Sequence, residues 1–160
     1  MEKQSFFFKK WSMAFLLLAV TAGAHAESGT SADELLDQAS SVLQRIDADQ
    51  EQSVWTSTAA FVRSRVSQEQ FTVAMKLARR GFGAVAHRGW ASVSRIRYAG
   101  ASGIPDGLYA NVDMATTLSD GGMVFELLSF RLEDDGHWHL TGYQSRQSQT
   151  GAELTKVVTP

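Results

Sequence analysis

The 160-residue chain contains no cysteine. That absence excludes disulfide staples, thiolate metal ligands and cysteine nucleophiles, so the fold must rest on a packed apolar core. It equally excludes a lipid-modified cysteine behind a leader segment. No apolar run reaches the ~20 residues that a membrane-spanning helix requires. There is no G-x-S-x-G nucleophile elbow, and no glycine-rich loop follows a strand and opens a helix, so serine-hydrolase and familiar nucleotide-binding chemistries are unsupported. Charge of one sign is lacking too: 15 Lys and Arg stand against 17 Asp and Glu. Internal repeats and low-complexity tracts are likewise missing.

What is present begins with a leader. Lys3, Lys9 and Lys10 flank the short apolar stretch Trp11 to Val20, and Ala24 to Ala26 place small residues at a cleavage position. Residues 1–26 therefore read as a cleaved secretory signal peptide, and the mature chain is expected to be soluble and periplasmic, with an extracellular location as the variant. Removing Lys3, Lys9, Lys10 and Glu2 leaves 12 basic and 16 acidic residues, a net charge of −4. A mildly acidic surface gives no reason to expect nucleic acid or an anionic membrane as partner. About 120 ordered residues are enough for one domain and hardly for two. Residues 27–34 read as a polar leader and helix cap, 35–146 as a single domain, and 147–160 as a flexible tail.

Three helices are predicted first. Ser31 and Glu34 form a capping-box pattern, and Leu35, Leu36, Ala39, Val42, Leu43 and Ile46 recur behind it at helical spacing. A second helix is drawn through "QEQSVWTSTAAFVRSR", with Val54, Trp55, Ala59 and Val62 as its stripe. The third follows a second capping-box pattern at Ser67 to Gln70, and "GFG" at 81–83 ends it. The apolar period then changes from about four to two. Four strands are predicted, "WASVSRIRY", "LYANVDMATTL", "MVFELLSFRL" and "HWHLTGYQSR", joined by "IPDG", "SDGG" and "EDDG" turns. The expected architecture is α+β, with three N-terminal helices packed on a curved four-stranded antiparallel sheet. That arrangement resembles the nuclear transport factor 2-like and cystatin-like folds.

The order "ARRGFG", "HRGWASVSRIRY", "PDGLY", a Glu inside the third strand and then "DGHWHLTGY" resembles the family catalogued as domain of unknown function 4019. The resemblance spans roughly residues 35–146. By its pattern the positions to notice are Trp55, Arg79, Arg88, Pro105, Gly107, Tyr109, Glu126, Gly136, Trp138, Gly142 and Tyr143. The second strand departs from it, with Met114 and Leu118 where aromatics are expected. The resemblance implies small exported bacterial proteins and brings no activity with it.

Three groups could carry chemistry. His137 and His139 flank Trp138 and would share one face of a strand, offering two imidazoles to a metal. After leader removal His87 is the one other histidine, so no third ligand is evident and no metal site or cofactor is expected. Glu126 lies on one strand face with Val124, Leu128 and Phe130. A carboxylate among apolar side chains is a candidate general acid or base, yet an ion pair with Arg79, Arg88, Arg95 or Arg97 is the favoured reading, because buried charge seldom survives unpaired. Those arginines could instead bind an anion. Arg79 and Arg80, at the end of the third helix, also complement its dipole. Tyr109 and Tyr143 are expected to pack their rings and find one hydrogen bond each. The candidate binding set is thus Arg79, Arg88, Tyr109, Glu126 and Tyr143.

The favoured expectation is a non-enzymatic exported protein that recognises a protein or small-molecule partner, an immunity-like role being one version. The alternatives are a small pocket enzyme using Glu126 as acid or base, and a homodimeric structural component of the envelope.

Overall fold

A computed structural model describes residues 31–147. The expected signal peptide, most of the expected polar leader and the expected tail beyond 147 lie outside the described residues. Helix α1 spans Ala32–Asp47, α2 Glu51–Thr56, α3 Ala60–Arg63 and α4 Gln68–Ala78. Strands β1 Val85–Tyr98, β2 Gly107–Leu118, β3 Met123–Leu132 and β4 Trp138–Arg146 follow. They form one antiparallel sheet in sequence order, β1-β2-β3-β4. The α+β class and the four-stranded antiparallel sheet are therefore as the sequence implied.

Local chemistry accounts for the helix starts. The Ser31 hydroxyl accepts from the Asp33 amide, 3.1 Å away, and Leu35, Ala39, Val42, Leu43 and Ile46 are buried along one stripe of α1. Ser67 and Gln70 close a reciprocal capping box at α4, with bonds of 3.2 and 3.0 Å. The helix count differs from expectation. The predicted second helix is broken into α2 and α3, because Thr58 forms a parallel bridge to Leu140 and the Ala59 amide donates to the Leu140 carbonyl at 2.9 Å. A short extended segment is thereby fastened to the outer edge of β4, and helical hydrogen bonding cannot run through it.

The helix-facing side of the sheet is set by alternation. Ala110, Val112, Met114, Thr116 and Leu118 of β2 and Val124, Glu126, Leu128 and Phe130 of β3 are all buried. Of these, Ala110, Val112, Met114, Leu128 and Phe130 form one core cluster with the buried stripe of α1 and with Val54, Met75, Trp138 and Leu140. β1 starts five residues earlier than predicted, which brings Arg88 into the sheet opposite Thr116. Register shifts fall between Trp90 and Ser92 in β1 and opposite Ser129/Phe130 in β4. Such bulges bend a strand and reverse its alternation. In β4 the shift decides the site: Trp138 and Leu140 face the helices, and after the extra residue so does Tyr143, whose partner on β3 is Leu128. At the β1–β2 turn the backbone of Gly107 approaches the Arg131 side chain so closely that a Cβ would sit 3.1 Å from its Nε.

The "HWH" stretch is the start of β4. Trp138 is buried, His137 is exposed, and the His139 Nε2 lies 2.8 Å from an Asp135 carboxylate oxygen. Among the described residues no cluster of three or more His, Cys, Asp or Glu could hold a metal ion. Trp138→Ala should cost about 3–5 kcal/mol by leaving a core cavity. The double change His137→Ala with His139→Ala should move the urea midpoint little. A double mutant that unfolds as readily as Trp138→Ala would overturn this division of roles.

Candidate functional site

Glu126 has no exposed surface, and the fold places four donors around it. Its Oε1 accepts from the Thr116 hydroxyl at 2.6 Å and from Arg88 Nε at 2.9 Å. Its Oε2 accepts from the Tyr143 hydroxyl and from Arg79 Nη1, both at 2.6 Å. A carboxylate offers about four lone-pair positions; all are taken, two at each oxygen. The donors come from four different elements: Arg79 caps the C-terminus of α4, Arg88 lies on β1, Thr116 on β2 and Tyr143 on β4.

A second carboxylate closes the arrangement. Asp47, the last residue of α1, pairs with both guanidinium groups: Oδ1 lies 2.9 Å from Arg88 Nη2, and further bonds reach Arg88 Nη1 and Arg79 Nη2. Two arginines and two carboxylates thus form a neutral quartet whose inner half is dry and whose Asp47 side reaches solvent. Burial alone would raise the Asp47 carboxyl, but the hydrogen bonds and charges of Arg88 and Arg79 outweigh it and hold it below its usual value. Burial lowers Arg79 and Arg88. The oxygens of Tyr143, Glu126 and Asp47 more than offset this for Arg79, and the two carboxylates do so for Arg88. Burial and the adjoining Glu126 charge raise Tyr143, so its hydroxyl stays a donor.

Of the expected site residues, Arg79, Arg88, Glu126 and Tyr143 meet. Tyr109 does not: it lies on the opposite face of the sheet, donates to the Pro105 carbonyl at 2.9 Å and packs edge-on against Tyr98. Arg95 and Arg97 remain exposed on β1. Arg79 and Arg88 each pair with both Glu126 and Asp47. Sequence reasoning missed Asp47 and Thr116. Asp47 did leave a signal, because a carboxylate in the last turn of a helix opposes the macrodipole and calls for a cation nearby.

Beside the quartet an open slot of about 400 Å³ runs between α3–α4 and the free edge of β4. Phe61, Val62, Val66, Phe71, Ala74 and Ala78 line its helical wall, and Leu127, Thr141, Gly142 and Gln144 line the sheet side. Two ties bound it: the Ala59–Leu140 backbone bond and a bond from the Ser145 hydroxyl to the Ala78 carbonyl. Tyr143 belongs to both places, lining the slot while its hydroxyl holds Glu126.

The elements that build quartet and slot coincide with the reach of a known family. A family model described as "Protein of unknown function (DUF4019)" matches residues 38–143. The chain belongs to that family. No curated protein matches it. The match covers every member of the DUF4019 quartet and most of the slot lining, from the middle of α1 to Tyr143. No helix of the described residues is long and apolar enough to cross a membrane.

Two measurements test the quartet of this DUF4019 domain. Glu126→Gln should lower stability by about 3 kcal/mol, because two buried guanidinium groups lose half of their compensating charge. Tyr143→Phe should cost about 1–2 kcal/mol through one lost donor. An unchanged urea midpoint for Glu126→Gln would refute the bracing role. The pH dependence has a definite sign. With Asp47 lowered in the folded state, its contribution is complete above the unfolded value of about 4 and disappears as the pH falls through the depressed folded value. Asp47→Asn should therefore flatten the acid limb of the stability profile below about pH 4, and a profile merely displaced in parallel would count against the pairing.

Proposed function

We propose that this DUF4019 domain is an exported, non-catalytic recognition protein that holds a ligand in the slot between α3–α4 and β4. One contrast carries the reading: the carboxylate best placed for acid–base work has every acceptor position filled and no exposed surface, while an apolar slot beside it stands open. A general base needs a lone pair within reach of the substrate proton. Glu126 has none to give without dismantling two ion pairs. Recognition needs only a shaped, partly apolar concavity on a rigid frame, and the slot has the volume usual for small-molecule sites. Such a pocket between helix and sheet also fits the nuclear transport factor 2-like or cystatin-like architecture that the element order resembles, although fold by itself does not assign a role. The leader at residues 1–26 supports the periplasm as the place of action.

The test is native mass spectrometry of the protein expressed from its full sequence and purified gently from the compartment it reaches. A mass excess on the folded protein is expected, and Ala74→Phe, which fills the slot, should abolish it while leaving the fold intact by circular dichroism. A bare protein in both cases, with Glu126→Gln as stable as the parent, would argue against this reading and reopen the enzymatic one.

A further inference from the structure

The slot carries one charged side chain, and its state narrows the ligand. Arg65 follows α3 at the rim, with its guanidinium over the Phe61 ring and Nη1 bonded to the Gly103 carbonyl at 2.5 Å. It has no acidic partner among the described residues, unlike Arg79, Arg88, Arg131 and Arg146. Guanidinium carries five N–H donors, of which a single carbonyl bond uses one. An unpaired cation at the mouth of an apolar slot suits a ligand with one anionic head and a long apolar body.

The slot also excludes the obvious alternative, a peptide strand added to the free edge of β4. β4 is an edge strand, and its outward backbone groups between Thr141 and Gln144 have no backbone partner among the described residues. An added strand would satisfy those groups, but its own second edge would then face a wall of Phe61, Val62, Val66, Phe71 and Ala74, in which only the Gln70 and Arg65 side chains could pair with a row of backbone groups. Burying a row of backbone groups unpaired is far costlier than seating an acyl chain there. The distance from the tie at Leu140 to the tie at Ser145, five residues at ~3.3 Å each, leaves roughly 16 Å for such a chain.

Resting on the recognition reading above, we infer that the slot binds a free single-chain amphiphile with a carboxylate head, the head on Arg65 and the chain between α4 and β4. Tyr143 and the quartet behind it fix the wall against which the chain lies.

Calorimetric titration of the delipidated protein, purified from cells expressing the full chain, tests this with dodecanoate below its self-association concentration and with dodecanol as the uncharged counterpart. One dodecanoate should bind per chain. Arg65→Gln, an exposed change that leaves the core untouched, should weaken dodecanoate about tenfold and leave dodecanol unchanged, because only the former loses a charge-assisted hydrogen bond. Ala74→Phe should abolish both. Loss of the two ligands to the same extent in Arg65→Gln would overturn the placement of the head. Absence of dodecanoate binding overturns the amphiphile; if Ala74→Phe still strips a different co-purified mass from the protein, recognition survives that result, and if nothing is stripped, both readings fall together.

Discussion

A carboxylate without solvent is the constraint around which this domain is arranged. Transferring Glu126 from water into the space between helices and sheet costs several kcal/mol, which only close opposite charge and complete hydrogen bonding can offset. The chain supplies both from distant places: Arg79 and Arg88 lie 47 and 38 residues away in sequence. Thr116 and Tyr143 complete the two oxygens. Because two guanidinium groups against one carboxylate would leave an excess positive charge, Asp47 is needed as well. The requirement thus fixes the end of α1, the end of α4 and all four strands relative to one another. Hydrophobic contact alone would tolerate sliding of a helix on a sheet, whereas a bidentate ion-pair network has one geometry.

The same bracket shapes the open slot. α4 is held at its C-terminal end by Arg79, and near Ala78 by Ser145, while the segment before α3 is pinned to Leu140. Between those fixed points the half-buried Phe61, Val62 and Phe71 line the open slot. Tyr143 is the mechanical link, with one end in the dry network and the other facing the slot. In the proposed recognition role the buried charges serve rigidity: a preformed cavity loses little entropy on binding. The polar investment and the apolar vacancy are two parts of one design, in which the costly interactions keep the binding surface from collapsing.

Much of this was legible in the residues. The four strands and their turns followed from alternation and from Asp-Gly and Gly-Gly pairs, and α4 from its capping box. Glu126 stood out because a charge in the sequence Val124-x-Glu126-x-Leu128-x-Phe130 contradicts its neighbours, and two of the four arginines considered for it are its partners. Less legible was the middle helix, whose apolar spacing is helical but whose backbone is captured at Thr58 and Ala59 by the edge of β4. Tyr143 was the least readable. At strict period two it would share a face with His137 and His139 rather than with Trp138, and only the added residue in β4 turns it inward.

By itself the sequence determined the α+β class, the order of strands, the face on which Trp138 and Glu126 lie, and the need for a cation beside that Glu. Those properties are local, written in periodicity, caps and turns, or follow from the cost of burying one charge. Tertiary structure alone decided which arginines answer, that Asp47 balances them, that Tyr109 is left on the far side, and that a slot remains beside β4. These depend on register, on bulges and on where separate elements come to rest. A one-residue shift in a strand exchanges its two faces without altering the composition from which the local signals are read.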